Sequence, residues 1–160
     1  MAAPLTTEHR TTENTASALL SLARVMNQFK THDTFRRQAG VDLDRSGAAL
    51  LYKLFSEGED VRLGELAERL GIDSPAVTRK VQQLERAGMV IRSPDPDDAR
   101  ASRVRLAPEG RRSIEKLLHA RELWLDEMLK GWPERDRAEL ARLLQLLATT
   151  IAGQGESRGD

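Results

Sequence analysis

The chain has 160 residues, of which 31% are charged and 4% aromatic, and its Ala, Leu, Arg and Glu content favours helices. The absence of cysteine excludes disulfides, thiolate metal sites and a cysteine-based redox switch. The 25 basic and 25 acidic residues cancel, which argues against a purely electrostatic binder of nucleic acid. The sequence lacks a long apolar run and the apolar core of a signal peptide, so we expect a cytoplasmic protein with no membrane partner.

In chain order, the first predicted element is an amphipathic helix. Residues 1–14 are polar and Thr-rich, and we expect them to form a flexible arm. From Thr15 onwards, apolar residues recur at steps of three and four, which is the period of a helix with one buried face. These apolar positions include Leu19, Leu22, Ala23, Met26 and Phe29. We expect this helix to end near Gly40, because glycine is a common C-terminal breaker. Asp44 or Ser46 can then cap a second helix, which Gly58 ends.

The third and fourth predicted helices form a helix-turn-helix. The third spans about Leu63 to Leu70, and Gly71 makes the turn that follows it. The fourth begins near Ser74, an N-cap candidate, with Pro75 at the first helical position, where its missing N–H costs nothing. It stops at Gly88, which favours the left-handed conformation that ends many helices.

The fourth helix has two distinct faces. Val77, Val81 and Leu84 cluster on one side and are predicted to be buried. The spacing of Ala67, Gly71 and Val77 matches the crossing of two helices in a helix-turn-helix. The opposite side and its flanks are suited to a DNA major groove. The candidate DNA-binding residues of this helix are Ser74, Pro75, Ala76, Thr78, Arg79, Lys80, Gln82 and Arg86.

The residue types on this face can read DNA. Arg79 and Gln82 are assigned to bases, because an arginine fork binds guanine O6 and N7 and glutamine binds adenine N6 and N7. The hydroxyl groups of the face and Lys80 are assigned to phosphates or thymine methyl groups. An ordinary solvated helix face is the alternative interpretation, and it carries most weight for Arg86.

Two short predicted strands, Met89–Arg92 and Ser102–Leu106, enclose a charged loop and form a wing. Arg100 near its tip is assigned to the adjacent minor groove, where narrow A·T-rich segments concentrate negative potential. Asp98 is assigned to hold the guanidinium of Arg100 or a nearby backbone amide. The alternative is a mobile charged loop. The segment 79–112 contains nine basic and five acidic residues, so positive charge is concentrated in this part of the sequence.

The C-terminal third is predicted to be helical. Pro108 opens a long helix, Pro133 interrupts it, and a last helix runs from Glu134 to about Ala152. The Gly-rich tail 153–160 is expected to be flexible. Three apolar stripes are too extensive for one chain to bury easily, so we expect a homodimer. The stripes lie in residues 15–38, 108–132 and 134–152.

The run LGELAERLGIDSPAVTRKVQQLERAGMVIRSPDPDDARASRVRLAPEGR resembles the MarR family of bacterial transcription regulators. Its most specific parts are the LERAG helix end, the RSPD strand exit, the DAR wing and the LAPEG start of the next helix. Ala99 stands where the family often has a second basic residue, and Ala107 where it often has Thr. The first departure suggests a slightly weaker wing.

The resemblance implies a mainly α fold with a small β-hairpin wing, in which N- and C-terminal dimerisation helices flank a winged helix-turn-helix. Residues 46–107 would form the DNA-binding domain, between a flexible arm and a flexible tail. The dimerisation region would comprise residues 15–45 and 108–152.

The predicted function is sequence-specific binding of double-stranded DNA by a homodimer that recognises a palindromic operator and acts as a repressor, the commoner mode of the family. The resemblance also suggests release by a small aromatic or anionic effector. His32, Phe35 and Arg36 are weak candidates for contacting it, because ordinary core or surface roles suit them better. The main rival function is a winged protein-interaction module. A metal sensor or an enzyme is disfavoured, and no cofactor is expected, because no ligand cluster or catalytic motif is found.

Overall fold

A computed structural model of the chain describes residues 7–28, 31–58, 60–98 and 100–156. These residues form helices and one small antiparallel sheet, so the predicted fold class, mainly α with a small wing, is confirmed. The elements are α1 (Thr7–Gln28), α2 (Thr31–Ala39), α3 (Arg45–Glu57), β1 (Val61–Arg62), α4 (Leu63–Leu70), α5 (Ser74–Arg86), β2 (Val90–Pro94), β3 (Ser102–Leu106), α6 (Pro108–Met128) and α7 (Glu134–Glu156).

The chain divides into two compact units, and the division falls within α6, after Ala120. The first unit contains the whole sheet and α1 to α5. The second contains the end of α6 and α7, where Arg137 Nη2 donates to the Leu129 carbonyl at 2.6 Å and so ties α7 to the preceding turn.

The core of the first unit lies between α3, α4, α5 and the sheet. The strand order is β1-β3-β2, and Val104 of the central strand β3 pairs with Val61 on one side and Arg92 on the other. The apolar residues of each of the three helices recur with helical periodicity, so one face of each helix is buried in this core. The most deeply buried side chains are Leu50, Leu51, Leu54, Leu66, Val77, Val81 and Val104.

Several boundaries differ from the sequence-based prediction. Helix α1 begins at Thr7, so residues 7–14, predicted as part of a flexible arm, are helical. Residues 7–14 contain no apolar side chain, so the helical period of apolar residues that marks the chain from Thr15 onwards could not reveal them. The Thr15 hydroxyl donates to the Thr11 carbonyl at 2.9 Å, a bond within the helix that accommodates a polar residue there. At the other end α7 continues to Glu156, into the predicted tail.

The predicted helix between Thr15 and Gly40 corresponds to two helices, α1 and α2. Phe29, which was placed on its apolar stripe, lies outside the described residues. Gly40 adopts a φ of +61°, as its predicted role of ending the helix requires.

Close backbone packing joins the start of α6 to Met89, which lies between α5 and β2. The Met89 carbonyl accepts a hydrogen bond from the Ala107 amide at 3.0 Å. A Cβ added at Gly110 would lie 1.9 Å from the same carbonyl oxygen, so only glycine fits at this point of the first turns of α6. This contact fixes the position of the first turn of α6 beside the start of β2.

Candidate nucleic-acid interface

Local sequence signals position α5. Asp73 is its N-cap, and Oδ1 of this residue accepts a hydrogen bond from the Ala76 amide at 2.8 Å. Ser74, predicted as the N-cap, is therefore the first helical residue, and Pro75 follows it within the first turn. Asp73 directly precedes Ser74, and aspartate and serine are both favourable N-cap residues. The sequence alone therefore did not show which of the two caps α5. Gly71 makes the turn before α5 with a φ of +62°.

The predicted two-faced character of α5 is present in the structure. Val77, Val81 and Leu84 are buried against the core. On the other side Arg79 and Arg86 are exposed and Gln82 is half-buried. Among the described residues, none of these three side chains has a hydrogen-bond or ion-pair partner. The face therefore presents two guanidinium groups that are free to bind another molecule.

The polar first turn of α5 extends this face. Ser74 and Pro75 are exposed, and Ala76 and Thr78 are half-buried. The Thr78 hydroxyl donates to the Ser74 carbonyl at 2.8 Å, so its proton is used within the helix and its lone pairs stay available.

Lys80 does not share the exposed face. Its Nζ lies 2.6 Å from Asp44 Oδ2 and 2.9 Å from Gln83 Oε1, and its side chain is 18% exposed. Asp44 is the N-cap of α3 and accepts the Gly47 amide at 2.8 Å. Lys80 thus ties α5 to the start of α3.

The pKa of Asp44 reflects this arrangement. Partial burial opposes ionisation, but the hydrogen bonds from Lys80 and from the Gly47 amide outweigh it and lower the pKa of this carboxyl. Asp44 is therefore a charged partner for Lys80 at neutral pH, and the link between α3 and α5 is an ion pair.

The wing consists of β2, β3 and the loop between them. Strand β2 extends to Pro94, two residues beyond the predicted Arg92, and pairs with β3 along its whole length. Asp98 Oδ1 accepts the backbone amide of Arg100 at 2.9 Å, which is the second of the two roles predicted for it. The guanidinium of Arg100 is exposed and has no partner among the described residues. Ala99, one of the two departures noted from the family pattern, lies outside the described residues.

The sequence analysis gave no role to Asp95, which holds the wing loop. Its side chain is fully buried and accepts from Arg62 Nε at 2.7 Å and Nη2 at 3.0 Å, and from Arg103 Nη1 at 3.2 Å. It also accepts the backbone amides of Asp97 at 3.0 Å and Asp98 at 3.2 Å. The Pro-Asp-Pro-Asp pattern, typical of an Asx turn, could have indicated the backbone bonds.

The hydrogen bonds from Arg62 are the main reason that the pKa of Asp95 falls to about 2. Burial of the carboxylate opposes this shift, and the Asp97 amide and the Arg103 guanidinium reinforce it. Asp95 is consequently ionised at any pH at which the protein is expected to act.

The three weak effector candidates all have structural roles. His32 Nε2 lies 3.0 Å from the Leu43 carbonyl oxygen, Arg36 pairs with Asp42 at 2.9 Å, and Phe35 is buried. A separate open cleft of about 270 Å³ lies in the same unit. Its lining residues are Leu54, Gly58, Asp60, Arg105, Leu106 and Arg111.

The described residues contain no helix long and apolar enough to cross a membrane. Within the same residues no three His, Asp or Glu side chains are grouped so that they could hold a metal ion.

Comparison with known proteins identifies the family. The MarR family model matches residues 44–102, which run from the N-cap of α3 to the start of β3. The HTH-type transcriptional regulator YdgJ of Bacillus subtilis (strain 168) is 33% identical over 114 residues, covering 71% of this chain and 69% of YdgJ. This chain belongs to the MarR family. MarR proteins are DNA-binding transcription regulators with a winged helix, so the predicted family and class of activity are confirmed.

Solved MarR structures share the fold. The MarR family protein from Bacillus stearothermophilus aligns with a TM-score of 0.73 at 24% identity, covering 88% of this chain and 97% of that one. A mutant of MepR from S. aureus, bound to an oligodeoxyribonucleotide, aligns with a TM-score of 0.59 at 17% identity, covering 85% of this chain and 96% of that one.

Proposed function

We propose that this MarR protein is a homodimeric repressor that recognises a palindromic operator in double-stranded DNA. One observation carries the proposal: the guanidinium groups of Arg79, Arg86 and Arg100 lie exposed on α5 and the wing and have no partner among the described residues. A cation without a protein partner can bind phosphate or a base edge without first breaking an ion pair. In this proposal α5 enters the major groove and the wing reaches the adjacent minor groove.

Within α5, Arg79 and Gln82 are the proposed base-reading residues. The first turns of a recognition helix reach base edges, and these two side chains have the donor and acceptor groups to discriminate bases. Ser74, Pro75, Ala76 and Thr78 would line the groove against phosphates and thymine methyl groups. Arg86, in the last turn, would bind phosphate.

Lys80 is not included in the proposed interface, although the sequence analysis assigned it there. Its ammonium group is held by Asp44 and Gln83, so a phosphate would have to displace two partners. We propose instead that Lys80 orients α5 on α3. In the wing, Arg100 is the proposed minor-groove residue, and Asp98 shapes the turn that carries it.

The exposed apolar side chains support dimerisation. On α1 they include Leu19, Leu22 and Met26, and on α7 they include Leu143 and Leu144, all at least 40% exposed. Such stripes on helices of a water-soluble protein are typical of surfaces that a partner covers. We propose residues 15–45 and 108–152 as the dimerisation region and 46–107 as the DNA-binding domain.

A two-fold dimer reads a palindrome because its two recognition helices are related by the same symmetry. The half-sites should then lie about one helical turn apart, roughly 34 Å or 10 bp from centre to centre.

We further propose that a small aromatic or anionic effector releases the DNA. This requires the effector to bind the DNA-incompetent form more tightly, since equal affinity for both forms would shift nothing. A panel of aromatic acids, screened for a rise in the thermal unfolding midpoint and a matching loss of DNA affinity, tests this part. A protein indifferent to the whole panel would contradict it.

Selection of bound duplexes from a random pool by the full chain tests the main proposal. We expect a palindromic motif, whose spacing reports the dimer, and an affinity that falls steeply as salt rises, because lysine and arginine displace counterions from DNA. A parent protein that prefers no duplex over heparin would overturn the proposal and leave the protein-interaction module.

Arg79→Ala tests the base-reading role. We expect a loss of about 1–3 kcal/mol in binding free energy and relaxed specificity at one base pair of each half-site. Arg112→Ala is the matched control, because it removes the same charge from the same unit but from a guanidinium already paired with Glu109 at 2.7 Å. Mobility shifts on the selected operator measure both. Equal affinities for the two variants would mean that Arg79 reads no base.

A further inference from the structure

We infer that Asp95 is a positioning residue for DNA binding: its buried carboxylate clamps the wing loop to the start of α4 and thereby sets where Arg100 is presented. The inference rests on the proposed function, because Arg100 is the group that Asp95 would position. Asp95 itself is fully buried and cannot touch DNA.

The Asp95 carboxylate is saturated with donors. Oδ2 accepts from Arg62 Nε and Arg103 Nη1, and Oδ1 accepts from Arg62 Nη2 and from two backbone amides of its own loop. Arg62 therefore binds with both prongs of its fork, a geometry that lysine cannot reproduce. A buried carboxylate with this many partners has one low-energy orientation.

These bonds connect the two parts of the proposed interface. Arg62 is the last residue of β1 and directly precedes α4, the first helix of the helix-turn-helix. From Asp95 the chain of bonds continues to the tip, since Asp95 holds the Asp98 amide and Asp98 Oδ1 holds the Arg100 amide. The loop is closed by the Asp95 amide, which donates to the Ala101 carbonyl at 3.1 Å.

Positioning of this kind raises affinity by lowering the entropy lost on binding. A wing that is already ordered delivers Arg100 to the minor groove without the cost of ordering the loop at that moment. Without the hydrogen bonds of Asp95, Arg100 keeps its charge, but the position of its backbone is no longer fixed. The effect of Asp95 on DNA should therefore act through Arg100.

A double-mutant cycle tests this dependence. Asp95→Asn, Arg100→Ala and the double variant are measured on operators whose flanks are A·T-rich or G·C-rich. We expect Arg100→Ala to weaken binding about tenfold on A·T flanks. Asp95→Asn should weaken operator binding by a similar factor and should remove the same preference for A·T-rich flanks. The double variant should bind the operator no more weakly than Arg100→Ala alone. Base discrimination within the half-sites should stay at the parent level.

Arg62→Lys is the second variant, in case Asp95→Asn folds poorly. It keeps the positive charge beside Asp95 and removes only the fork, so it should reproduce the loss of flank preference while urea unfolding shows a folded protein. Additive losses in the cycle, or an unchanged flank preference in both Asp95→Asn and Arg62→Lys, would overturn the inference. A parent that binds no duplex would instead refute the proposed function, so the two failures are distinguishable.

Discussion

Ion pairing separates the basic residues between positions 79 and 112 into two groups. Lys80, Arg92, Arg103, Arg105 and Arg112 each face a carboxylate, and Arg111 lies over the Phe55 ring at 5.4 Å. The first five are therefore paired with an acidic group of the protein, and Arg111 has an aromatic contact. The side chains of the remaining cations of this segment, Arg79, Arg86 and Arg100, have no partner in the part of the chain that the structure describes. A positive segment of the sequence thus contains only three cationic side chains that the described residues leave unpartnered, and these are the proposed DNA contacts.

At the same scale, Asp95 should make stability depend on pH. Its pKa is about 2 in the folded protein, whereas an aspartate in an unfolded chain has a pKa of about 3.9. Because the folded pKa is the lower one, Asp95 stabilises the fold above about pH 4, and this contribution is lost as the pH falls towards about 2.

Urea unfolding of the parent and of Asp95→Asn measures this contribution. The difference between their free energies of unfolding should be largest near neutral pH and should shrink across the acid range. Asp97→Asn, which removes an exposed carboxylate from the same loop, controls for the change in net charge. A difference that stays constant with pH would show that the ionised form of Asp95 is not what stabilises the wing.

At the scale of elements, α6 lies close to the residue that precedes β2, because the Met89 carbonyl accepts the Ala107 amide and faces Gly110. We expect Gly110→Ala to destabilise the fold by about 1–3 kcal/mol, since its new methyl group would collide with the Met89 carbonyl and force the two elements apart.

Gly64→Ala in α4 is the matched control. A Cβ at Gly64 would meet no atom within 4 Å, and alanine is the better helix former, so this change should stabilise the protein by up to about 1 kcal/mol. Urea unfolding of both variants measures the two changes in the free energy of unfolding, which should have opposite signs. Similar effects from the two substitutions would show that backbone entropy, and not the Met89 contact, explains the glycine at position 110.

At the scale of the whole molecule, the proposed dimer explains why long helices carry apolar side chains on their surfaces. We expect Leu144→Glu to shift the protein from dimer to monomer, because it places a charge where an apolar side chain would be buried. Operator affinity should fall with it, since only one half-site can then be held by each molecule. Sedimentation equilibrium measures the first effect and a mobility shift the second.

Gln145→Glu is the control for this prediction. It adds the same charge to the adjacent position of α7 without removing an apolar group, so the dimer should persist. Dissociation by both variants would point to general charge repulsion, and dissociation by neither would place the interface elsewhere.

The sequence by itself determined the elements of the winged helix and much of its exposed face. Gly71, Pro75 and Gly88 mark the limits of α5, and the spacing of Val77, Val81 and Leu84 identifies its buried side. These signals are readable because capping, turn geometry and helical periodicity all act within a few residues. Membership of the MarR family followed from the same local motifs.

Only the tertiary structure decided how the charges are used. Lys80 meets Asp44 across 36 residues of sequence, and Arg62 meets Asp95 across 33. The first pairing holds Lys80, which the sequence analysis placed among the DNA contacts, away from the exposed face of α5. The second pairing holds the wing loop to the end of β1. No local pattern reports such pairs, because the partner of a charged side chain depends on which distant segments folding brings within hydrogen-bond distance.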